Sequence, residues 1–353
     1  MDEKNFTRSI LSWYDSGHRD LPWRHTTDAY RIWISEIMLQ QTRAETVISY
    51  YDRFLKKYPT VQVLADADEA ELLKAWEGLG YYSRARSLQK AAGVIVAQYG
   101  GHLPASVEAL KQLPGIGDYT SGAIASIAFG IPAAAVDGNV ERVLCRYYAI
   151  EDEVGTPAVR RKVFDLAQAL VPGDRPGAFA NAMMEMGATL CTPRNPACLI
   201  CPVRESCAGY RKGIAAQLPN KKKKKPQRVE KRAVLLIFCG DRVLVKRREE
   251  ALLGGLYVFP DALEESNPQK LCEFVENLGI RCAYDAKLGE AKHVFTHIIW
   301  EMEIHALEAE NMPDIPGGMW VTRAELEELP LPTAVKAARK HAMEKLNERA
   351  ESR

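Results

Sequence analysis

Residues 113–117 are Leu-Pro-Gly-Ile-Gly, between a helix predicted at about 106–112 and a helix of small residues predicted from Asp118. Two glycines around one aliphatic residue allow a tight turn and present backbone amides at a helix N-terminus. Such amides bind phosphate without needing a basic side chain. We therefore expect a helix–hairpin–helix in which Gly115 and Gly117 contact a nucleic-acid backbone. A plain corner between two helices is the alternative.

The charge of the chain is unevenly distributed. Its 353 residues are enough for two domains, and its net charge is only +1. Lys plus Arg against Asp plus Glu gives 24 against 24 in residues 1–220, 8 against 1 in 221–232 and 15 against 21 in 233–353. Net charge alone does not indicate a nucleic-acid binder, so such a function would depend on local patches and backbone amides.

Four cysteines stand close together near the middle of the chain. Cys191, Cys198, Cys201 and Cys207 have six, two and five residues between them. One short loop with several thiolates can surround a metal ion or an iron–sulfur cluster. A zinc site usually has two separate Cys-x-x-Cys pairs, and this loop has one. We predict a 4Fe–4S cluster, with zinc and four buried structural cysteines as the alternatives.

The sequence also predicts the cellular compartment. It has no run of eighteen apolar residues, and its N-terminus lacks an apolar signal region. Together with the thiolate cluster, these features predict a protein of the reducing cytoplasm without a membrane partner.

The periodicity of apolar residues changes along the chain. Helical spacing over 30–58, 69–77 and 83–99 predicts an all-α domain at residues 1–215. Lysine repulsion and a proline predict an exposed linker at 216–232. Residues 233–353 are expected to form an α+β domain. It would contain a hairpin at 233–247 with a Gly-Asp turn, a strand over 293–305, and helices at 268–278 and 333–348.

A carboxylate follows the predicted hairpin. Asp137 lies twenty residues after Gly117 in the stretch Val-Asp-Gly-Asn-Val, where it is also suited to cap the next helix. The hairpin, this aspartate and the four-cysteine loop together resemble the helix–hairpin–helix base-excision glycosylase superfamily over residues 1–215. The bifunctional branch of that superfamily has a lysine nucleophile two residues after the second hairpin glycine. This chain has Tyr119 there, and a phenol cannot form an imine.

Glu36 is the second position that distinguishes the branches. It lies in Ile-Ser-Glu-Ile-Met-Leu-Gln-Gln-Thr at 34–42, where apolar neighbours would desolvate its carboxylate and raise its pKa toward that of a general acid. A glutamate on the wet face of a helix is the alternative. With Leu-Pro-Trp-Arg at 21–24 and Gly-Tyr-Tyr-Ser-Arg-Ala-Arg at 80–86, this stretch resembles the adenine DNA glycosylase family.

The resemblance implies a base-flipping enzyme that acts without lyase activity on double-stranded DNA. It implies that Glu36 protonates an extruded adenine opposite 8-oxoguanine or guanine, and that Asp137 stabilises the oxocarbenium ion. Tyr119 and Asn139 would hydrogen-bond around this pair. Gln41 and Tyr81 would wedge into the duplex, although a surface helix residue and a core aromatic are their alternatives. The remaining residues expected on the DNA-facing surface are Trp23, Arg24, Leu39, Thr42, Arg84 and Arg86. We expect a monomer associated with the nucleoid.

The C-terminal half resembles the Nudix fold. The hydrolase box of that fold gathers carboxylates around magnesium, and here only Glu264, Glu273 and Glu276 match it, so pyrophosphatase activity is not expected. The adenine DNA glycosylase family uses this domain to recognise 8-oxoguanine through a Phe-Ser-His turn. The matching residues are Phe295, Thr296 and His297, where threonine keeps the hydroxyl.

Two other functions remain open from the sequence. One is a DNA-binding repair scaffold without catalysis, which the apolar surroundings of Glu36 disfavour. The other is a glycosylase for thymine or uracil mismatches, which a panel of duplexes with defined mismatches would distinguish from an adenine enzyme.

Overall fold

Helices dominate the first of two units in the computed structural model, which describes residues 3–222, 226–250 and 252–351. The first unit comprises Met1–Ala67 and Arg86–Lys223, and the second comprises Asp68–Ala85 and Lys224–Arg353. The helices of the N-terminal half are α1 (Glu3–Ser16), α2 (Ala29–Leu39), α3 (Ala44–Lys57), α4 (Val61–Ala65), α5 (Glu69–Ala75), α6 (Ser83–Tyr99), α7 (Val107–Lys111), α8 (Asp118–Phe129), α9 (Gly138–Tyr147), α10 (Pro157–Leu170), α11 (Pro176–Thr189) and α12 (Ala208–Arg211).

The core of the first unit brings helices from distant parts of the chain together. Phe6 and Ile10 of α1 pack in one buried cluster with Leu144 of α9 and Met183 of α11. Helix α11 also approaches α9 closely at Gly187, because a Cβ there would lie 2.5 Å from the Asn139 Cβ. This contact fixes the beginning of α9 against α11.

The second unit contains one mixed sheet. Its described strands are β1 (Arg228–Cys239), β2 (Arg242–Arg247), β3 (Tyr257–Val258), β4 (Asp261–Leu263), β5 (Cys282–Val294), β6 (Ile298–Ala309) and β7 (Gly318–Val321). The main order is β3-β2-β1-β6-β5, with β1 and β6 parallel and β5 and β6 antiparallel. The helices of this half are α13 (Pro268–Glu276), α14 (Arg323–Glu328) and α15 (Lys336–Glu351). Apolar clusters cover both faces of the sheet.

The structure corrects two predicted boundaries. The single strand predicted over 293–305 is wrong: β5 ends at Val294, β6 begins at Ile298, and the Phe295 amide donates to the Ile298 carbonyl at 2.9 Å. Strand β1 begins at Arg228, so the predicted linker is shorter at its C-terminal end. Residues 223–225 of its lysine run lie outside the described residues. No helix in the described part of the chain has the length and apolar character needed to cross a bilayer.

Candidate active site

A cavity of about 670 Å³ in the first unit gathers most of the residues predicted for catalysis. Its walls come from α2, the beginning of α8, the beginning of α9, and α11. Elements far apart in sequence therefore contribute to one site. The predicted residues that line it are Trp23, Arg24, Glu36, Leu39, Gln41, Thr42, Tyr119, Asp137 and Asn139.

Glu36 is buried inside the apolar helix α2, as its flanking residues predict. It is only 3% exposed, between the fully buried Ile34 and the buried Ile37. Burial raises the pKa of Glu36 to about 7, although the hydrogen bond from Tyr119 opposes the rise. At neutral pH this carboxyl group is thus divided between its protonated and ionised forms, which suits a group that both donates and accepts a proton.

Tyr119 connects the hairpin to this carboxylate. It occupies the first turn of α8, and its hydroxyl donates to Glu36 Oε2. Burial, with the nearby Glu36 and Asp137 carboxylates, raises the Tyr119 pKa well above its ordinary value, so the phenol stays protonated as a donor.

Asp137 caps α9 and lines the same cavity. Its Oδ1 accepts from the amides of Asn139 at 2.9 Å and Val140 at 2.8 Å, and its Oδ2 accepts from the Asn139 side chain at 2.7 Å. Burial raises its pKa, and these donors oppose the rise because they favour the ionised form. Three donors act on Asp137 and one on Glu36. We therefore expect a proton shared by the pair to reside on Glu36.

Arg142 links the N-terminal end of α9, beside Asp137, to the cysteine loop. Its guanidinium donates to Asn139 Oδ1 and the Gly187 carbonyl, both at 2.7 Å, and to the Cys191 carbonyl at 2.8 Å. One side chain thus contacts both the residue that orients Asp137 and the first cysteine of the loop.

The four predicted cysteine ligands border one small cavity. Val143 and Tyr147 of α9 and Met186 of α11 supply much of its apolar wall. Four thiols around one apolar space are the donor set of a cubane iron–sulfur cluster, so the residues fit that group. Among the described residues, no three His, Cys, Asp or Glu side chains converge closely enough to hold a single metal ion.

Arg146, one helical turn after Arg142, also bonds the cysteine loop. It is 1% exposed, and its guanidinium donates to the carbonyls of Thr192 at 2.7 Å, Leu218 at 2.8 Å and Pro193 at 3.0 Å. A further contact reaches Cys191 Sγ at 3.3 Å. No sequence pattern indicates this role of Arg146, because a lone arginine within a helix carries no motif.

The hairpin has the predicted turn. Gly115 has φ +76°, and a Cβ there would lie 2.6 Å from the Ser87 Cβ. Gly117 is the N-cap of α8, and no side chain caps that helix end. The turn therefore presents the amide end of a twelve-residue helix.

Three residues predicted for the DNA-facing surface have largely buried side chains in the structure, and their contact with DNA stays a prediction. Trp23 lies in the core, and Arg84 is 8% exposed with its guanidinium bonded to the carbonyls of Leu79 and Gly80 at 3.0 Å. Burial lowers the pKa of Arg84 to about 10. Arg24, also buried, donates to Glu185 Oε2 at 2.7 Å. The two guanidinium groups thus bond backbone carbonyls and the Glu185 carboxylate.

Glu185 is a cavity residue that sequence analysis missed. Burial raises its pKa, but hydrogen bonds from Arg19 and Arg24 outweigh burial and lower the pKa to about 2. The signal was an acidic residue among the methionines of α11, in Met-Met-Glu-Met. Its permanent charge fixes both arginines at the rim of the cavity.

The two predicted wedge residues have strained backbones. Gln41 has φ +58° and Tyr81 has φ +48°, and both side chains are exposed. Non-glycine residues in the left-handed region are uncommon and cluster at functional sites. Gln41 belongs to the first unit and Tyr81 to the second.

Phe295, Thr296 and His297 form the connection between β5 and β6. The Phe295 ring packs against Trp300, with centroids 4.8 Å apart, while Thr296 and His297 are exposed. The Gln227 side chain donates to the Phe295 carbonyl, and the Arg228 amide donates to the His297 carbonyl at 3.2 Å. The exposed Thr296 thus directly follows a phenylalanine whose ring packs on the buried Trp300.

Three family models match parts of the chain. The HhH-GPD superfamily base excision DNA repair protein model matches residues 34–168. The iron–sulfur binding domain of endonuclease III matches 191–207, and the NUDIX domain matches 233–341. These matches confirm the predicted helix–hairpin–helix and Nudix-like fold classes. They also confirm the iron–sulfur loop, whose thiols hold a 4Fe–4S cluster.

Curated relatives and solved structures agree with the family models. Human adenine DNA glycosylase is 37% identical over 94% of this chain and 72% of its own length. The Schizosaccharomyces pombe enzyme of that name is 30% identical over 93% of this chain and 87% of its own length. The structure of a thermostable thymine-DNA glycosylase has a TM-score of 0.54 and 35% identity, and covers 60% of this chain and 97% of that one. An endonuclease III–DNA complex, at 23% identity and a TM-score of 0.52, shares the helical fold.

Proposed function

Because this chain belongs to the adenine DNA glycosylase family, we propose that it hydrolyses the N-glycosidic bond of adenine mispaired with 8-oxoguanine or guanine in double-stranded DNA. The observation that carries the proposal is a buried Glu36 with a pKa of about 7 in the same cavity as Asp137. Two carboxyl groups with different proton occupancy are the requirement for acid-assisted cleavage of a glycosidic bond.

The reaction follows from these two groups. Protonated Glu36 donates its proton to a ring nitrogen of the flipped adenine while the bond from C1′ to the base breaks, and the bonding electrons leave with adenine. Ionised Asp137 stabilises the positive charge that develops on the sugar. Water then adds to C1′, and its proton returns to the Glu36 carboxylate. Tyr119 and Asn139 keep the two carboxyl groups oriented through their hydrogen bonds.

The enzyme cleaves the N-glycosidic bond, which releases the base, and leaves the DNA strand intact. Tyr119 occupies the position at which a lysine would be needed as the Schiff-base nucleophile, and its phenol has no amine chemistry. The thiolates of Cys191, Cys198, Cys201 and Cys207 would hold the 4Fe–4S cluster, which when bound would order the loop that Arg142 and Arg146 contact from α9. The chain acts as a monomer on DNA at the nucleoid, since the carboxylate pair and the cluster loop come from one chain.

The second unit recognises the base opposite adenine. The exposed Thr296 hydroxyl and the backbone of the turn suit the extra carbonyl and ring N–H of 8-oxoguanine. Thr296→Val should therefore reduce the preference for 8-oxoguanine over guanine by roughly tenfold or less, the range of one hydrogen bond.

One experiment separates this function from its rivals. Duplexes with defined mispairs are followed for base release and for strand cleavage with and without alkali. We expect adenine release opposite 8-oxoguanine and guanine, and strand cleavage only after alkali. Glu36→Gln should bind the duplex and lose release by about 10²–10⁴-fold, while the exposed Glu153→Gln control should not. Release of thymine or uracil instead of adenine would identify a pyrimidine-mismatch enzyme. Binding without release would identify a scaffold.

A further inference from the structure

The segment that carries Tyr81 belongs to the same unit as the sheet. Asp68–Ala85 lies within the helical half of the sequence, yet it forms one compact unit with Lys224–Arg353. Within this unit the Tyr81 hydroxyl lies 3.3 Å from the Thr296 hydroxyl, which is hydrogen-bond distance. The wedge residue and the lesion-recognition turn therefore meet directly in one unit.

A polar cluster holds this segment to α14 and α15. We call Lys74, Glu77 and Arg339 the clamp. Lys74 Nζ lies 2.8 Å from Glu77 Oε2 and donates to the Leu329 carbonyl at 3.1 Å. Arg339 Nη1 lies 2.6 Å from Glu77 Oε1, and its Nη2 donates to the Glu327 carbonyl at 3.0 Å. Glu77 thus accepts from one cation on its own segment and from another on α15.

The clamp is better placed to fix geometry than a surface ion pair. Its three side chains are between 23% and 27% exposed, and both cations also bond backbone carbonyls of the α14 region. Exposed single pairs contribute little because solvent screens them and their side chains must be ordered. Networks with several partly buried partners are screened less and restrict the groups they join.

A short chain of contacts runs from the clamp to Tyr81. Trp76 precedes Glu77, is fully buried, and donates its indole N–H to the Gly80 carbonyl at 3.2 Å. Arg84 bonds the same carbonyl at 3.0 Å, and its guanidinium carbon lies 5.6 Å from the Tyr81 ring centroid. Tyr81 itself is 46% exposed and has a positive φ, a conformation that persists only when its surroundings enforce it.

We propose that Lys74, Glu77 and Arg339 are positioning residues for recognition of the base opposite adenine, because they hold Tyr81 against Thr296. This inference rests on the proposed function, in which the Thr296 turn contacts that base. The hydroxyl pair gives the turn a defined donor and acceptor pattern only while the Tyr81 segment stays fixed. A released segment lets the tyrosine hydroxyl leave Thr296, and the two opposite bases are then distinguished less well.

The test measures the ratio of single-turnover adenine release opposite 8-oxoguanine to that opposite guanine. In Glu77→Gln and Arg339→Met we expect this ratio to fall by roughly threefold to tenfold, about the effect of one hydrogen bond. Arg339→Lys should retain more of the ratio than Arg339→Met, because it keeps a positive charge and a donor beside Glu77 and the Glu327 carbonyl. Lys340→Met is the matched control, since Lys340 neighbours Arg339 and is exposed.

A second readout keeps this inference separate from the proposed function. Affinity for duplexes with an abasic analogue opposite 8-oxoguanine or guanine reports recognition without adenine chemistry. If the wild-type protein releases no adenine, the proposed function fails, and the affinity ratio still tests the clamp. Variants that melt like the wild type and keep both ratios unchanged would refute the inference. A loss in Arg339→Lys as large as that in Arg339→Met would also refute it, by showing that the charge and the donor at this position do not set the ratio.

Discussion

The Tyr119 hydroxyl controls how strongly the buried Glu36 holds its proton. Burial favours the neutral acid, and the phenol favours the carboxylate by donating to it. The two effects leave the Glu36 pKa at about 7, where a small change of environment alters the fraction of active enzyme near neutral pH. The catalytic pH profile should therefore depend on a residue that itself transfers no proton.

The pH dependence of adenine release tests this balance. The protonated form of Glu36 is the acid, so the single-turnover rate should be high below its pKa and should fall as the pH rises through about 7. Tyr119→Phe removes the donor that lowers the Glu36 pKa, so the fall should move to higher pH. Tyr99→Phe is the control. An unchanged profile in Tyr119→Phe would show that another group limits the rate.

Asp137 allows charge to be separated from capping. Asparagine is as good an N-cap as aspartate, so Asp137→Asn should keep the stability of α9 while losing the negative charge in the cavity. We expect release to fall by about 10²–10³-fold, with a melting temperature close to that of the wild type. Asp28→Asn, at the exposed N-cap of α2, is the matched control. Near-normal release would mean that Asp137 is only a cap.

Sequence alone indicated the candidate carboxylates of the cavity better than the residues that support them. The apolar neighbours of Glu36 indicated its burial, and the Val-Asp-Gly-Asn-Val stretch indicated both the cap and the charge at Asp137. Glu185 and Arg146 were not found, because their partners come from remote parts of the chain. The burial of the Arg24 and Arg84 side chains was also not predicted, because a charged residue gives no local sign of a buried acceptor nearby.

At the scale of elements, α9 connects the active site to the iron–sulfur loop. Its N-cap is Asp137, and Arg142 and Arg146 lie one turn apart on the face toward the loop. Residues four apart share a helix face, so both guanidinium groups contact the same segment. Order in the cysteine loop should therefore support the position of Asp137.

Loss of Arg146 should impair cluster retention. Arg146→Met removes the donor to the carbonyls of Thr192, Pro193 and Leu218, of which Leu218 is buried. We expect less iron than the about four atoms per chain of an intact cluster, weaker visible charge-transfer absorbance, and a lower melting temperature. Arg161→Met, an exposed arginine of α10, should retain the iron. Full iron occupancy in Arg146→Met would contradict this role.

The hairpin offers a test with a matched glycine. Gly115 and Gly130 both have positive φ, but only the Cβ at Gly115 would overlap Ser87. Gly130→Ala should cost about 1 kcal/mol of backbone strain, and Gly115→Ala should cost more and weaken duplex binding. Thermal unfolding and affinity for a duplex without a mismatch measure the difference. Equal effects of the two substitutions would remove the close approach at Ser87 as the cause.

At the scale of the whole molecule, one segment of the helical half of the sequence, Asp68–Ala85, belongs to the second unit. The helical spacing of apolar residues before the lysine run, and the strand-like spacing after it, indicated two kinds of structure. The helical period of 69–77 also predicted α5. That period could not show that α5 belongs to the same unit as the sheet, because periodicity defines an apolar face and not the partner that covers it. Contacts such as that of Lys74 with the Leu329 carbonyl connect α5 to the C-terminal half.

The polypeptide passes between the two units three times, after residues 67, 85 and 223. A protease site inserted between 220 and 228 would sever only one of these connections, and the N-terminal product would still contain 68–85. The two products should therefore co-elute under native conditions and separate only in denaturant. Residues 224–353 expressed alone should be prone to aggregation, since they lack the segment that covers part of their surface. Fragments that separate without denaturant would show that each product is self-sufficient.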